Sequence, residues 1–361
     1  MKSSFSRREF IKTGVVAGVG LSFPSIWIKG AYGALEPGHR IHPAIDERLV
    51  VGVTDAGMVE GHNPVTTWAQ QEAMVKKDVV WANMDKLACR LSGERAAQKA
   101  WRTIFVKPPK KAASDIVVAI KTNNIAQQHT RSPVIAKVCH VLVNDLGVKA
   151  ENIYIYDACH GGNLERSTPF SGLPEGVHIA NKWGGFSQET AVPEPWTGGT
   201  SSCLKHLVDN TVDILVNVAM CKGHGGSFGR FTMTMKNHFG TFAPRPGHSK
   251  DGLEYLIALN RTPEILGPID PKTGAVTFPR QQLCIVDALW ASDRGPGGNP
   301  SHQPNFLAMG ALSPVVDYQV GTQFRQKKMG WNVNVKAAER FLTDFGYTPA
   351  DLPHGGELVE V

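Results

Sequence analysis

Three lysines carry the chemistry this sequence offers. Lys121 opens Lys121-Thr122-Asn123-Asn124, Lys222 opens Lys222-Gly223-His224-Gly225-Gly226, and Lys236 ends Thr232-Met233-Thr234-Met235-Lys236. Ammonium groups brought together disfavour one another's charge, so at least one should lose pKa. A lysine lowered in this way can act as a base or form a Schiff base. Lysines that all stay charged can instead hold a carboxylate or a phosphate. His224 adds an imidazole, and the glycines at 223, 225, 226 and 229 would let backbone N–H groups approach an anion. The expected catalytic set is therefore Lys236, Lys222 and His224, as base, clamp and acid in an order the sequence leaves open. Lys121, Asn123, Thr232, Asn237, Asp157 and Asp287 are the expected ligand-binding residues.

Other chemistries fit less well. Phe228 stands where G-x-G-x-x-G needs its last glycine, and no G-x-x-x-x-G-K-[ST] occurs, so neither nucleotide template is met. No G-x-S-x-G elbow for a serine hydrolase is present. A metal site is the rival idea, with Asp157, His160, His224 and His238 as ligands if they converge. No H-x-x-x-H or H-x-H spacing supports it. Cys159 and Cys221 each adjoin a candidate group, but such thiols are more often buried and structural than nucleophilic.

These residues need elements to carry them to one place. Asp115–Lys121, Asn152–Asp157, Asp213–Ala219, Gln282–Asp287 and Phe306–Ala311 are short runs rich in β-branched residues, which reads as buried strands. Ser132-Pro133 opens a helix that stops at Gly147. Apolar residues at i, i+3 and i+4 steps mark helix within 66–102 and again from Val335 to Phe345. Phe231, Met235 and Phe239 recur every four residues and predict a helix over 231–240, with Thr232 and Lys236 on a neighbouring face and Gly240 at its exit. The plainer reading of that segment is a core helix with Lys236 snorkelling to solvent. Strands alternating with helices imply an α/β fold, a mainly parallel sheet with helices on both faces. Residues 158–200, rich in Gly, Pro and Trp, form a long irregular insertion. Ligands of such sheets sit beyond the carboxyl ends of the strands, and that is where the lysines, Asn123, Asp157 and Asp287 fall.

Taken together, these pieces resemble the uncharacterised family catalogued as domain of unknown function 362. Its pattern has a lysine and an asparagine at an early strand end, a K-x-H, a T-x-x-x-K-N-x-x-G, and a D-G/A strand end followed by a glycine–proline loop. Here those are Lys121 and Asn123, Lys222-Gly223-His224, Thr232 with Lys236-Asn237 and Gly240, and Asp287-Ala288 with Gly295-Pro296. Ser313-Pro314-Val315-Val316-Asp317 resembles its late strand-to-helix turn. The resemblance covers roughly residues 115–345, with Lys-Thr-Asn where the family often has Lys-Pro-Asn. Many members carry a ferredoxin-like cysteine domain; no such cysteine pattern occurs in this sequence. The resemblance implies a fold and a set of residues but no established activity or cofactor.

The N-terminus supplies an address. Ser6-Arg7-Arg8-Glu9-Phe10-Ile11-Lys12, the apolar stretch Gly14–Phe23 and the small residues Ala31-Tyr32-Gly33-Ala34 read in order as a twin-arginine signal over residues 1–34. The expected partners are thus the twin-arginine translocase during export and a small anionic ligand afterwards, outside the cytoplasm. Residues 35–114 read as an arm and helical lead-in, 115–345 as the α/β domain and 346–361 as a tail. The first 34 residues carry five basic side chains against one acidic, four of the six net positive charges, so about two remain. That is too little to indicate nucleic acid or an anionic membrane. No later stretch is long and apolar enough to span a bilayer. None of the six cysteines forms a C-x-x-C pair. Three functional readings remain: an enzyme acting on a small anion, a non-catalytic solute- or partner-binding protein, and a metalloprotein.

Overall fold

The computed structural model describes Gly38, residues 40–225 and residues 228–361. The twin-arginine segment and Gly226 lie outside the described residues.

Eight strands form one sheet: β1 (Val50–Thr54), β2 (Val118–Lys121), β3 (Ile153–Tyr156), β4 (His178–Asn181), β5 (Ile214–Met220), β6 (Gln281–Ala288), β7 (Phe306–Gly310) and β8 (Val359–Glu360). Their order across the sheet is β8-β1-β7-β6-β5-β2-β3-β4. The run β6-β5-β2-β3-β4 is parallel throughout, and β7 alone runs against its neighbours β6 and β1. All positions of β5 and β6 are buried, as expected of strands covered on both faces. From β2 the chain moves through β3 to β4, then returns to the other side of β2 for β5 and β6. The reversal between β2 and β5 is the topological switch point, where open α/β sheets place their ligands.

Helices cover both faces. On one side, after the short α1 (Trp68–Met74), α2 (Lys77–Ser92), α3 (Ala97–Ile104) and α4 (Ser132–Asn144) pack Leu87, Trp101 and Leu142 against Ile120, Ile155 and Val216. On the other, α5 (Gly252–Leu259), α6 (Ser313–Gln319) and α7 (Val335–Thr343) pack Leu256, Val315 and Phe341 over Ala119, Leu215 and Val286. Each fully buried Leu or Phe contributes about 2 kcal/mol against its exposed state. Alternation along the strands then sends the side chain of Lys121 to the face of Ala119, and that of Asp287 to the face of Leu283 and Ile285.

Four segments differ from the sequence reading, two of them because the 158–200 insertion contributes β4 to the sheet and the 346–361 tail contributes β8. The 35–65 arm contains β1, whose alternating Gly52 and short length hid it; a Cβ at Gly52 would stand 2.8 Å from the Phe306 ring of β7. The single helix expected over 231–240 is absent. Phe231–Thr232 pairs with Lys222–Gly223 as a hairpin, one helical turn follows at Thr234–Asn237, and a 3-10 turn closes at His238–Gly240. Met233, at φ −142° and ψ −128°, breaks any continuous helix. Phe231, Met235 and Phe239 are nonetheless all buried in one core, so the apolar spacing marked burial and not helix.

Candidate functional site

The lysines arrive from three elements at the carboxyl edge of the sheet. Lys121 is the last residue of β2. Its Nζ lies 3.4 Å from Asp157 Oδ1, just past β3, and donates to Asn237 Oδ1 at 3.2 Å and to the carbonyl of Thr122. Lys222, in the hairpin after β5, donates from Nζ to Asn123 Oδ1 at 2.6 Å. Asn123 Nδ2 in turn donates to Asn237 Oδ1 at 3.3 Å. Two amides therefore link the two buried ammonium groups. Asn237 is held by donating to Asn217 Oδ1 at 2.8 Å and to the carbonyls of Lys121 and Val218. Both ends of its amide are used within the protein, so its part is to place the lysines. Thr232 is buried opposite Lys222 in the hairpin.

Lys236 has a different surrounding. Its ammonium lies over the rings of Phe239 at 4.3 Å and Phe228 at 4.9 Å. Among the described residues no carboxylate reaches ion-pairing distance of it. Burial lowers it to about 8. Burial also lowers Lys222 to about 7; Asp157 opposes the fall, and Lys236 and Lys121 add to it. Lys121 is lowered by burial against the pull of Asp157. His224 is brought to about 4 by burial and then by Lys236, His248 and Lys222, so its ring is neutral at pH 7. Its Nδ1 accepts from the Gly225 N–H at 2.8 Å. His160 is lowered by burial and by all three lysines, opposed by Asp157. These mutual influences put Lys121, Lys222, Lys236, His160 and His224 in one electrostatic neighbourhood, with Asp157 its carboxylate.

Glycine admits this packing at two points. A Cβ on Gly240 would stand 2.3 Å from Lys121 Cε and 2.4 Å from Asp157 Oδ1, so this residue serves close approach and not a helix exit. A Cβ on Gly223 would stand 2.4 Å from the carbonyl oxygen of Asp293, which seats the hairpin on the 293–299 loop.

Asp287 does not join the lysines. It lies on the opposite face of the sheet and accepts from the N–H groups of Arg131, at 2.8 Å, and Leu289. Of the residues considered as metal ligands, His238 is committed elsewhere. His238 is buried, lowered to about 3 by burial, and bonded to Gln281 Oε1 at 2.7 Å and Thr241 Oγ1 at 3.1 Å. Among the described residues no group of three His, Cys, Asp or Glu side chains is placed to hold a metal ion. The cysteines of the described residues are all free thiols, and Cys221 is fully buried.

The sequence reading missed two residues. Asn217, in the middle of β5, donates to the carbonyl of Thr234 at 2.8 Å and fixes Asn237. A polar side chain inside an otherwise apolar strand was the available signal. Asp317 of α6 accepts from Thr234 N at 2.8 Å, Thr234 Oγ1 at 2.6 Å and Met235 N at 3.0 Å, and so caps the turn that carries Lys236. Burial raises Asp317 to about 7 against these bonds. Its position in the late turn was visible, but its partner 83 residues away was not.

The fold and edge define an α/β protein with a lysine-bearing site at the switch point of its sheet. The chain belongs to the family described as Domain of unknown function (DUF362), whose model matches residues 118–319, more than half of its length. No curated protein and no solved structure matches it. The match begins at β2 and ends in α6, and so encloses Lys121, Lys222, Lys236 and Asp317.

Proposed function

We propose that this chain is an exported protein that holds a small carboxylate or phosphate at the carboxyl edge of its sheet, with Lys236 as the ammonium that meets the ligand. The observation that carries the reading is the setting of Lys236: half-buried, lying on two phenylalanine rings, without a carboxylate partner among the described residues. A desolvated ammonium without a counter-charge is unfavourable until an anion supplies one. Lys222, near 7, exchanges its proton in the physiological range, and neutral His224 can accept one, so the same edge suits acid–base catalysis. A second reading is a non-catalytic binding protein. Its support is the tie between Lys222 Nζ and Asn123 Oδ1, which fixes that lysine as a holding group.

Calorimetry of the mature chain against inorganic phosphate and small carboxylates, followed by product analysis, separates the two. Lys236→Met, checked for folding by circular dichroism, should lose anion binding by tenfold or more; unchanged affinity overturns the assignment. Export is tested separately. Replacing Arg7 and Arg8 together by lysine should retain the protein in the cytoplasm; undiminished export would remove the twin-arginine reading.

A further inference from the structure

Beside the lysines, at the ends of β2, β3 and β4, lies an open cleft of about 490 Å³. Its walls include Asn124, Cys159, His160, Asn163, Ser167 and Lys182. Apart from the thiol these are amide, hydroxyl, imidazole and ammonium groups, and little apolar surface faces the cleft. The wall is a built one. Asn124 donates from Nδ2 to the His160 carbonyl at 3.1 Å and accepts from Ser167 Oγ at 3.3 Å, which ties the loop after β2 to the loop after β3. Asp157, the carboxylate of the lysine cluster, accepts from the N–H groups of Cys159 at 3.0 Å and His160 at 3.4 Å, and so shapes the same wall. Lys182 lies along Gly162, its Nζ 3.6 Å from where a Cβ on that glycine would stand. Two of these wall residues, Cys159 and His160, feel the charges of Lys121 and Lys236. The cleft thus adjoins the lysine cluster through Asp157, which pairs with Lys121 on one side and accepts from this wall on the other.

Given the anion site proposed above, on which this rests, we infer that the cleft receives the rest of the ligand, and that the ligand class is a polyhydroxylated small molecule bearing one carboxylate or phosphate. A bare phosphate or a short apolar acid leaves the cleft unused. An apolar ligand body would desolvate the Asn163 amide, the Ser167 hydroxyl and the Lys182 ammonium without replacing their hydrogen bonds, and sites built from such groups reject analogues that lack the matching hydroxyls by large factors. The volume is within the range of small-molecule sites and exceeds what an isolated oxyanion needs.

The test is calorimetry on the full mature chain at pH 7 with four probes: gluconate, hexanoate, glucose 6-phosphate and inorganic phosphate. The expected result is at least a tenfold preference for gluconate over hexanoate or for glucose 6-phosphate over inorganic phosphate, and the pair that shows it names the anionic group. Asn163→Leu, at an exposed position that leaves the core intact, and separately Ser167→Val, should shrink that preference severalfold and leave inorganic phosphate within twofold of its starting affinity. Lys236→Met should weaken all the anions together. A preference absent in the parent chain, or unchanged in both wall variants, overturns the inference. Wall variants that behave as expected beside a Lys236→Met chain of normal affinity would overturn the anion assignment alone. Binding of none of the probes overturns both. Cys159 offers a second readout in a Cys89→Ala background: the hydroxylated anion should slow its alkylation by maleimide severalfold, and an unaltered rate would contradict occupancy of the cleft.

Discussion

Arg131, Lys121 and Lys222 are buried cations, and Lys236 a half-buried one, at the same edge of one sheet, on its two faces. Arg131, at the start of α4, is fully buried, with its guanidinium 5.1 Å above the Trp290 ring. Asp287 and Glu72 both act on it, and these two carboxylates also accept from the N–H groups of Arg131 and Ser132. Burial lowers Arg131 to about 10 and raises Asp287 and Glu72, but the charges in the group offset one another. On the other face, among the described residues, Asp157 is the one carboxylate beside Lys121 and Lys222, and none stands beside Lys236. The difference teaches how to tell a structural charge from one awaiting a ligand. Where the fold brings at least as many carboxylates as cations, the local charge balances, even though Arg131 Nε and Nη1 have no hydrogen-bond partner among the described residues. Where it brings too few, the surplus appears as lysines lowered to about 7 and 8.

The largest expected effect comes from unbalancing the charge-balanced region. Arg131→Met leaves buried Asp287 and half-buried Glu72 without their cation and should cost about 3 kcal/mol in urea unfolding. Lys236→Met, which removes a charge with no carboxylate partner among the described residues, should cost less than about 1 kcal/mol. Equal losses would erase the distinction between the two regions. Next is the cap of the Lys236 turn. Asp317→Ala strips the acceptor from three donors and should cost about 3 kcal/mol, with anion affinity falling as the turn loosens. Retained stability and affinity would show that the turn holds its place without it. Gly240→Ala presses a methyl against Lys121 and Asp157 and should cost about 2 kcal/mol by thermal unfolding.

Much of this site could be read from residue order, and the reasons for the remainder are physical. Lys121, Asp157 and Lys222 were legible because a strand's end fixes the sheet edge on which the next residue falls. Asp287 obeyed the same rule and still landed elsewhere, since alternation along β6 turns it to the other face and the strand's phase had not been assigned. Lys236 was singled out within a wrongly predicted element. A four-residue recurrence of Phe231, Met235 and Phe239 fits a helix, but here a hairpin, one α turn and a 3-10 turn bury the same three side chains. Asn217 and Asp317 act through contacts between distant segments, which no local pattern encodes. β1 escaped because its five residues include a glycine required by the Phe306 ring.

A further effect is on pH dependence. Lys222 and Lys236 have folded values of about 7 and 8 against 10.5 for an unperturbed lysine. Between those limits the unfolded chain binds more protons than the folded one, so these groups make ligand-free stability rise with pH from about 7 toward 10. Melting temperatures from pH 7 to 9 should show that rise, and saturating phosphate should flatten it by keeping both lysines protonated. A slope untouched by phosphate would place the surplus charge away from the binding site.

The central claim is that an anion completes an unbalanced cluster, and proton linkage tests it most directly. Phosphate binding is measured calorimetrically at pH 8.5, where phosphate itself holds a nearly constant charge, in two buffers of different ionisation enthalpy. The account predicts net proton uptake by the original chain and its loss, with most of the affinity, in Lys236→Met. Binding without proton uptake, or the same uptake in both chains, would contradict it.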